Sequence, residues 1–189
     1  VADVAFTNVG RNIVNPVQIV WALQSSGELV AVASKPIQET AEAGEEMGRR
    51  GANLLREPRA VFATESGTYV LEAGDRLAVL RSGAVDTMQL RRGAAGARDL
   101  AVGSTGLLHV LLGAEVRVYQ DPPRAAPLWT FDLDAAVLPA VGIAVNSRGE
   151  VYVAGAGQLA LAVYDLDAQG RFRRTRAVEA RDLGMRQVS

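Results

Sequence analysis

Few residues in this chain carry groups able to do chemistry, and their spacing decides what that chemistry could be. His109 is the only histidine of the 189 residues and stands inside the apolar run Leu107-Leu-His-Val-Leu-Leu112. A general base needs an orienting partner and a metal centre needs further ligands. One imidazole within an apolar strand is therefore read as a satisfied structural residue. Asp165-Leu-Asp-Ala-Gln-Gly170 has the Asp-x-Asp-x-x-Gly opening of a calcium loop, but Arg176 stands where the loop requires its closing bidentate carboxylate. A hairpin turn is expected there instead.

Arg171, Arg173, Arg174, Arg176 and Arg181 cluster near the end of the chain with Phe172 among them. Strand alternation puts Arg171, Arg173 and Thr175 on one face, and Phe172, Arg174 and Arg176 on the other. Arg171, Arg173, Arg174 and Arg176 are the candidate interaction residues. An outermost strand needs charged gatekeepers, and the same charges suit an anionic partner. No Gly-x-Ser-x-Gly elbow, phosphate loop or His-Glu-x-x-His occurs. The sequence assigns no catalytic residue and calls for no cofactor.

What must position these residues is a repeated phrase, clearest from Gly142 to Phe172. There, apolar runs at 143–145, 151–154 and 159–164 are separated by Asn-Ser-Arg-Gly and Gly-Ala-Gly. Gly and Asn tolerate the positive φ of tight turns, so this is hairpin punctuation. Anchored on the turn glycine, Ala22 to Gly27, Phe62 to Gly67, Ala101 to Gly106 and Ala144 to Gly149 align without gaps. The period is roughly 40 residues, the signature of stacked supersecondary units. Second strands are expected at 28–34, 68–73, 107–112 and 150–154. Third strands are expected at 76–81, 115–119 and 159–164, and fourth strands near 85–90, 128–133 and 172–178. Four antiparallel strands per period make a β-propeller blade. The fold class is all-β, one propeller or propeller segment over 1–189. Its repeats lie near 17–57, 58–96, 97–138 and 139–180.

With the apolar-Ala-Val phrase, the turn, Glu-Val-Tyr-Val-Ala and a strand closing on Tyr164-Asp165, the chain resembles the NHL and TolB-like class of propellers. The resemblance covers about 17–178 and implies the fold more than an activity. The first repeat departs from it, since no third or fourth strand is legible after Ser34. In propeller hydrolases resembling the gluconolactonase class, an Asn, Asp and Glu at the channel bind a metal. The corresponding positions here, three before each anchor glycine, are Gln24, Thr64, Gly103 and Asn146. Asn146 is the one candidate metal ligand, and without carboxylates a hard cation lacks compensating charge.

Residues 35–57 break the pattern: charge-rich, with Gly44, Gly48 and Gly51, they read as an irregular insertion, with a partner-binding protrusion as the sharper reading. Val4–Thr7 reads as one possible strand, either closing a ring by pairing with the last blade or serving as the outer strand of a preceding blade. Ala97-Arg-Asp-Leu100 recurs as Ala180-Arg-Asp-Leu183, as though a further blade began there. Asp99 and Asp182 are expected to satisfy backbone groups between blades, and Trp21, Phe62, Trp129 and Tyr152 to sit in blade cores.

Composition sets the bounds. At 49% apolar the chain can bury a sizeable core. With 20 basic and 21 acidic residues it has no global field for nucleic acid or anionic membrane. There is no cysteine, hence no disulfide framework, and no apolar run approaches the roughly 18 residues of a spanning helix. The chain starts at Val1, which suggests a processed mature protein or a piece of a longer one; the compartment is open, with an extracytoplasmic placement preferred. The reading is a non-catalytic propeller scaffold that contacts other protein subunits. The alternative is a ligand-binding or metal-dependent hydrolytic propeller.

Overall fold

Apolar runs alternating with turn residues give sixteen strands in the computed structural model, which describes residues 3–9, 17–23, 29–34, 45–50, 55–64, 67–81, 84–90, 96–120, 122 and 126–183. They pair as four antiparallel sheets of four strands, each a simple meander in chain order. The chain divides into two units, Val1–Ala95 and Gly96–Ser189.

The first unit holds two sheets. One contains β1 (Asp3–Val9), β2 (Val17–Leu23), β3 (Leu29–Ser34) and β4 (Glu45–Arg50); the other contains β5 (Pro58–Thr64), β6 (Gly67–Glu72), β7 (Arg76–Arg81) and β8 (Ala84–Gln89). β5 lies beside β1 and β2. The second sheet buries Val70, Leu71, Leu77, Ala78 and Val79 almost completely. Removing a Val or Leu side chain from water stabilises the fold by about 1.5–3 kcal/mol. Glu72 is buried in the same sheet. It accepts the backbone N–H of Arg56 and pairs with the Arg76 guanidinium at 3.1 Å, which ties the chain ahead of β5 to the end of β6.

The first sheet corrects two expectations. The strand at its start belongs to this sheet and not to a preceding blade, because β1 pairs with β2 over seven residues, from Asp3 opposite Leu23 to Val9 opposite Val17. The repeat boundary expected at 17 therefore falls inside a sheet. The anchor phrase from Ala22 bridges its second and third strands, whereas in the other sheets it bridges the first and second. Joining neighbours in sequence costs the least loop-closure entropy. Within the stretch expected to be an irregular insertion, residues 45–50 form the outer strand β4. Its composition misleads because an edge strand is the place where charge is an asset.

The second unit repeats the plan with β9 (Ala97–Val102), β10 (Leu108–Leu112), β11 (Glu115–Tyr119) and β12 (Trp129–Asp132), then β13 (Ala140–Val145), β14 (Val151–Gly155), β15 (Leu159–Leu166) and β16 (Phe172–Glu179). Cross-strand register sorts the faces. The rows Asp99, Leu111, Val116, Phe131 and Ala101, His109, Val118, Trp129 share one face of the third sheet. That face meets the fourth sheet's rows Ile143, Val153, Ala162 and Val145, Val151, Tyr164. Leu111, Val116, Val118, Val151, Val153 and Ala162 are fully buried. Asp99 fastens the layers: its carboxylate accepts the N–H of Leu100 at 2.8 Å and that of Ile143, in the next sheet, at 2.9 Å. The expected bridging role of Asp99 is therefore met through strand backbone.

Asp182 does otherwise. Ala180–Leu183 forms a 3-10 turn, where Asp182 is exposed and 3.9 Å from the Arg181 guanidinium. Four identical residues thus make a strand after Gly96 and a turn after β16. The aromatic residues also differ from expectation, since Phe62, Trp129 and Tyr152 are half-buried while Tyr69, Tyr119 and Tyr164 join the aliphatic residues in the cores. The side chain of Trp21 lies outside the described residues. Among the described residues no helix is long and apolar enough to cross a membrane.

Candidate interaction site

One turn design, used twice in the fourth sheet, sets out the charged residues. In Asn146-Ser-Arg-Gly149-Glu150 the Asn146 N–H donates to the Glu150 carbonyl at 3.1 Å and the Gly149 N–H to the Asn146 carbonyl at 3.1 Å. The Asn146 side-chain oxygen accepts the N–H groups of Arg148 and Glu150, each at 3.0 Å. Asp167-Ala-Gln-Gly170-Arg171 repeats this bond for bond, Asp167 accepting from Gln169 and Arg171 at 3.0 and 2.9 Å. Asx residues make such turns because their side chains imitate a backbone acceptor. The calcium-like phrase is the expected hairpin turn. Gly103 to Leu107 makes the same backbone loop with no side chain to assist it.

Each turn projects a carboxylate toward the arginines of β16. Asp167 pairs with Arg173 at 2.7 Å and Arg171 at 3.5 Å. Glu150 pairs with Arg148 at 3.0 Å and Arg176 at 2.5 Å, and accepts from Asn146 and from the Tyr152 hydroxyl. Arg174 pairs with Asp134 at 2.5 Å. The Asp134 N–H donates to the Tyr164 hydroxyl. Hydrogen bonds from Asn146 and Tyr152, with Arg148 and Arg176 nearby, hold the Glu150 carboxyl below its ordinary range. The backbone N–H of Arg171, then the Arg173 side chain, does the same for Asp167. The expected faces are present as Arg171 and Arg173 on one carboxylate, and Phe172 and Arg174 turned toward the third sheet. A bulge at Thr175 then separates Arg174 from Arg176, which lies opposite Val163. Simple alternation could not foresee that shift.

Sequence reasoning overlooked Glu150, Asp134 and Tyr152, the partners that fix the arginines. Their signal lay in position, since Glu150 directly follows a turn glycine. Asn146→Ala should lower stability by about 1–2 kcal/mol by removing a side chain with four hydrogen bonds, and should let the Glu150 carboxyl rise toward its ordinary range. Urea unfolding and a carboxyl titration by NMR check the two effects separately.

As a metal ligand Asn146 does not fit. Its oxygen is occupied by two backbone N–H groups and its amide points at Glu150. Thr64 donates its hydroxyl to the Gly67 carbonyl, Gly103 offers no side chain, and Gln24 lies outside the described residues. Among the described residues no group of three metal-ligating side chains occurs. His109 is 3% exposed, beneath Phe172, with its Nδ1 3.1 Å from the Leu107 carbonyl. Because that carbonyl only accepts, Nδ1 carries the proton. The imidazole is thus the satisfied structural residue expected.

Neither a protein-family model nor a curated protein matches the sequence. Solved structures do match. The chain is similar to streptogramin B lyase, with a TM-score of 0.61 at 10% identity over 90% of this chain and 53% of the lyase. It is similar to a chain of an active polycomb repressive complex 2 in the basal state, with 0.67 at 14% over 88% of this chain and 37% of that one. It is likewise similar to Saccharomyces cerevisiae Sqt1, with 0.62 at 13% over 94% of this chain and 49% of Sqt1. The fold is that of β-propeller blades. At such identities the likeness shows fold alone, and the chain spans about half or less of the length of these three proteins.

Proposed function

We propose that residues 1–189 form one β-propeller domain, with blades of the NHL and TolB-like kind, that works without catalysis as a scaffold for protein–protein contacts in a larger assembly. The observation that carries this reading is the outer strand β16, which presents Arg173, Arg174 and Arg176 exposed and held in place by turn carboxylates. Pre-set exposed guanidiniums suit recognition, because ordering them in advance lowers the entropic cost of association. Membership of a multi-subunit complex by one structure of like fold supports it further.

Native mass spectrometry of the chain isolated from its source tests the proposal. A polypeptide of this sequence retained in a stable complex with other subunits is the expected result. A free chain carrying a stoichiometric small molecule or metal ion would overturn it.

A further inference from the structure

We propose that β16 is a docking edge for an extended acidic segment of a partner protein, added as a fifth strand on its open side and read by Arg171, Arg173 and Arg176, which the bulge at Thr175 leaves on one face. The inference rests on the scaffold reading and names the class of partner that this edge takes.

Among the described residues, β15 is the only strand paired with β16, so one side of its backbone faces outward. Proteins usually keep such edges short, because a row of unpaired backbone groups recruits other strands. The outer strands of the other sheets have six, six and four residues, whereas β16 has eight, of which Arg173 to Ala177 are exposed in an unbroken run. The edge is also held in shape. Phe172 stacks on Phe131 with ring centroids 4.5 Å apart, and the Thr175 hydroxyl donates to the Val163 carbonyl at 3.3 Å.

Charge selects the occupant. Two carboxylates each serve two guanidiniums: Asp167 serves Arg171 and Arg173, and Glu150 serves Arg148 and Arg176. With Asp165 opposite Arg173 as a third carboxylate, the four guanidiniums keep a surplus of one positive charge, and each has five donors with which to meet further acceptors. A second copy of β16 would set arginine against arginine, and like charges directly opposite destabilise a strand pair. An extended segment with an acidic residue at alternate positions reverses that sign. Its backbone would supply the ladder and its carboxylates the specificity, the usual division of labour in strand addition.

The test is fluorescence anisotropy of the intact chain with three labelled octapeptides: alternating Glu-Thr, alternating Lys-Thr, and Glu-Thr with alternate backbone nitrogens methylated so that they cannot donate. The expected result is saturable binding of the Glu-Thr peptide that weakens as sodium chloride is raised. Affinity should be at least tenfold lower for each of the other two peptides, and for Glu-Thr on the Arg171→Gln, Arg173→Gln double variant. No binding of Glu-Thr at low salt, or equal binding of the methylated peptide, overturns the proposal without reference to any variant's folding. Survival of the native complex in the Arg171→Gln, Arg173→Gln, Arg176→Gln triple variant would overturn the docking edge while leaving the scaffold reading standing.

Discussion

Gly155→Ala is expected to lower the stability of the protein by about 3 kcal/mol, near the upper end of the usual cost of overpacking a core. Gly155 closes β14 beneath the 3-10 turn Ala135–Val137, whose Val137 is fully buried. A Cβ at 155 would stand 2.0 Å from the Val137 carbonyl oxygen, 2.6 Å from its Cγ2 and 2.9 Å from the Leu159 carbonyl oxygen. Two of those three atoms are backbone and cannot rotate aside. Gly149→Ala is the matched control, since its φ is +85° and nothing lies within 4 Å of its Cβ position. It should cost only about 1 kcal/mol, for left-handed backbone alone. Urea midpoints of the two variants decide the matter. Equal losses would mean that the packing around Gly155 yields.

Acid should weaken the protein through His109. Burial lowers its pKa to about 4 from 6.5, with the Leu107 carbonyl opposing the shift in part. The folded state therefore holds that proton less tightly than the unfolded chain does. The neutral-imidazole contribution is whole above the unfolded pKa and is lost as pH falls from about 6.5 toward 4. The loss over that window is about 3 kcal/mol, with a slope no steeper than about 1.4 kcal/mol per pH unit. Glu150 and Asp167 also titrate in acid, so the measurement is the difference between wild type and His109→Gln in urea unfolding at pH 7, 5.5 and 4.5. The wild-type curve should fall more steeply. Parallel curves would show that His109 reaches solvent before its protonation costs anything.

Strand positions were the most legible part of this sequence. Arg76–Arg81 and Glu115–Tyr119 are strands at the expected residues, because turn glycines and, after Tyr119, a pair of prolines bracket short apolar runs whose length leaves no latitude. The phase of the first sheet was not legible, since the anchor phrase marks a hairpin without saying which hairpin of the meander it is. The Gly155-Ala-Gly157 phrase shows a second limit. It reads as turn punctuation, yet both glycines also admit the 3-10 turn, with Cβ positions 2.0 and 2.3 Å from the Val137 and Leu138 carbonyl oxygens. Local pattern records the turn and is silent on what packs over it.

At the candidate site, the arginines were visible as a cluster, but their partners come from 134, 150 and 167, brought together by pairing between strands. No spacing rule within one segment links Arg174 to Asp134. The repeated Ala-Arg-Asp-Leu shows the converse. Asp99 gains a role from the Ile143 backbone beside it, while Asp182 in the same phrase is exposed beside Arg181.

In all four sheets every strand pairs only with its immediate predecessor or successor in the chain. A meander of this kind keeps the sequence separation of its contacts small, which favours rapid folding for an all-β protein. Each strand after the first of its sheet emerges from the ribosome with a partner already behind it. Each sheet can therefore form in the order in which it is synthesised, and within each unit the second sheet can then pack on the first.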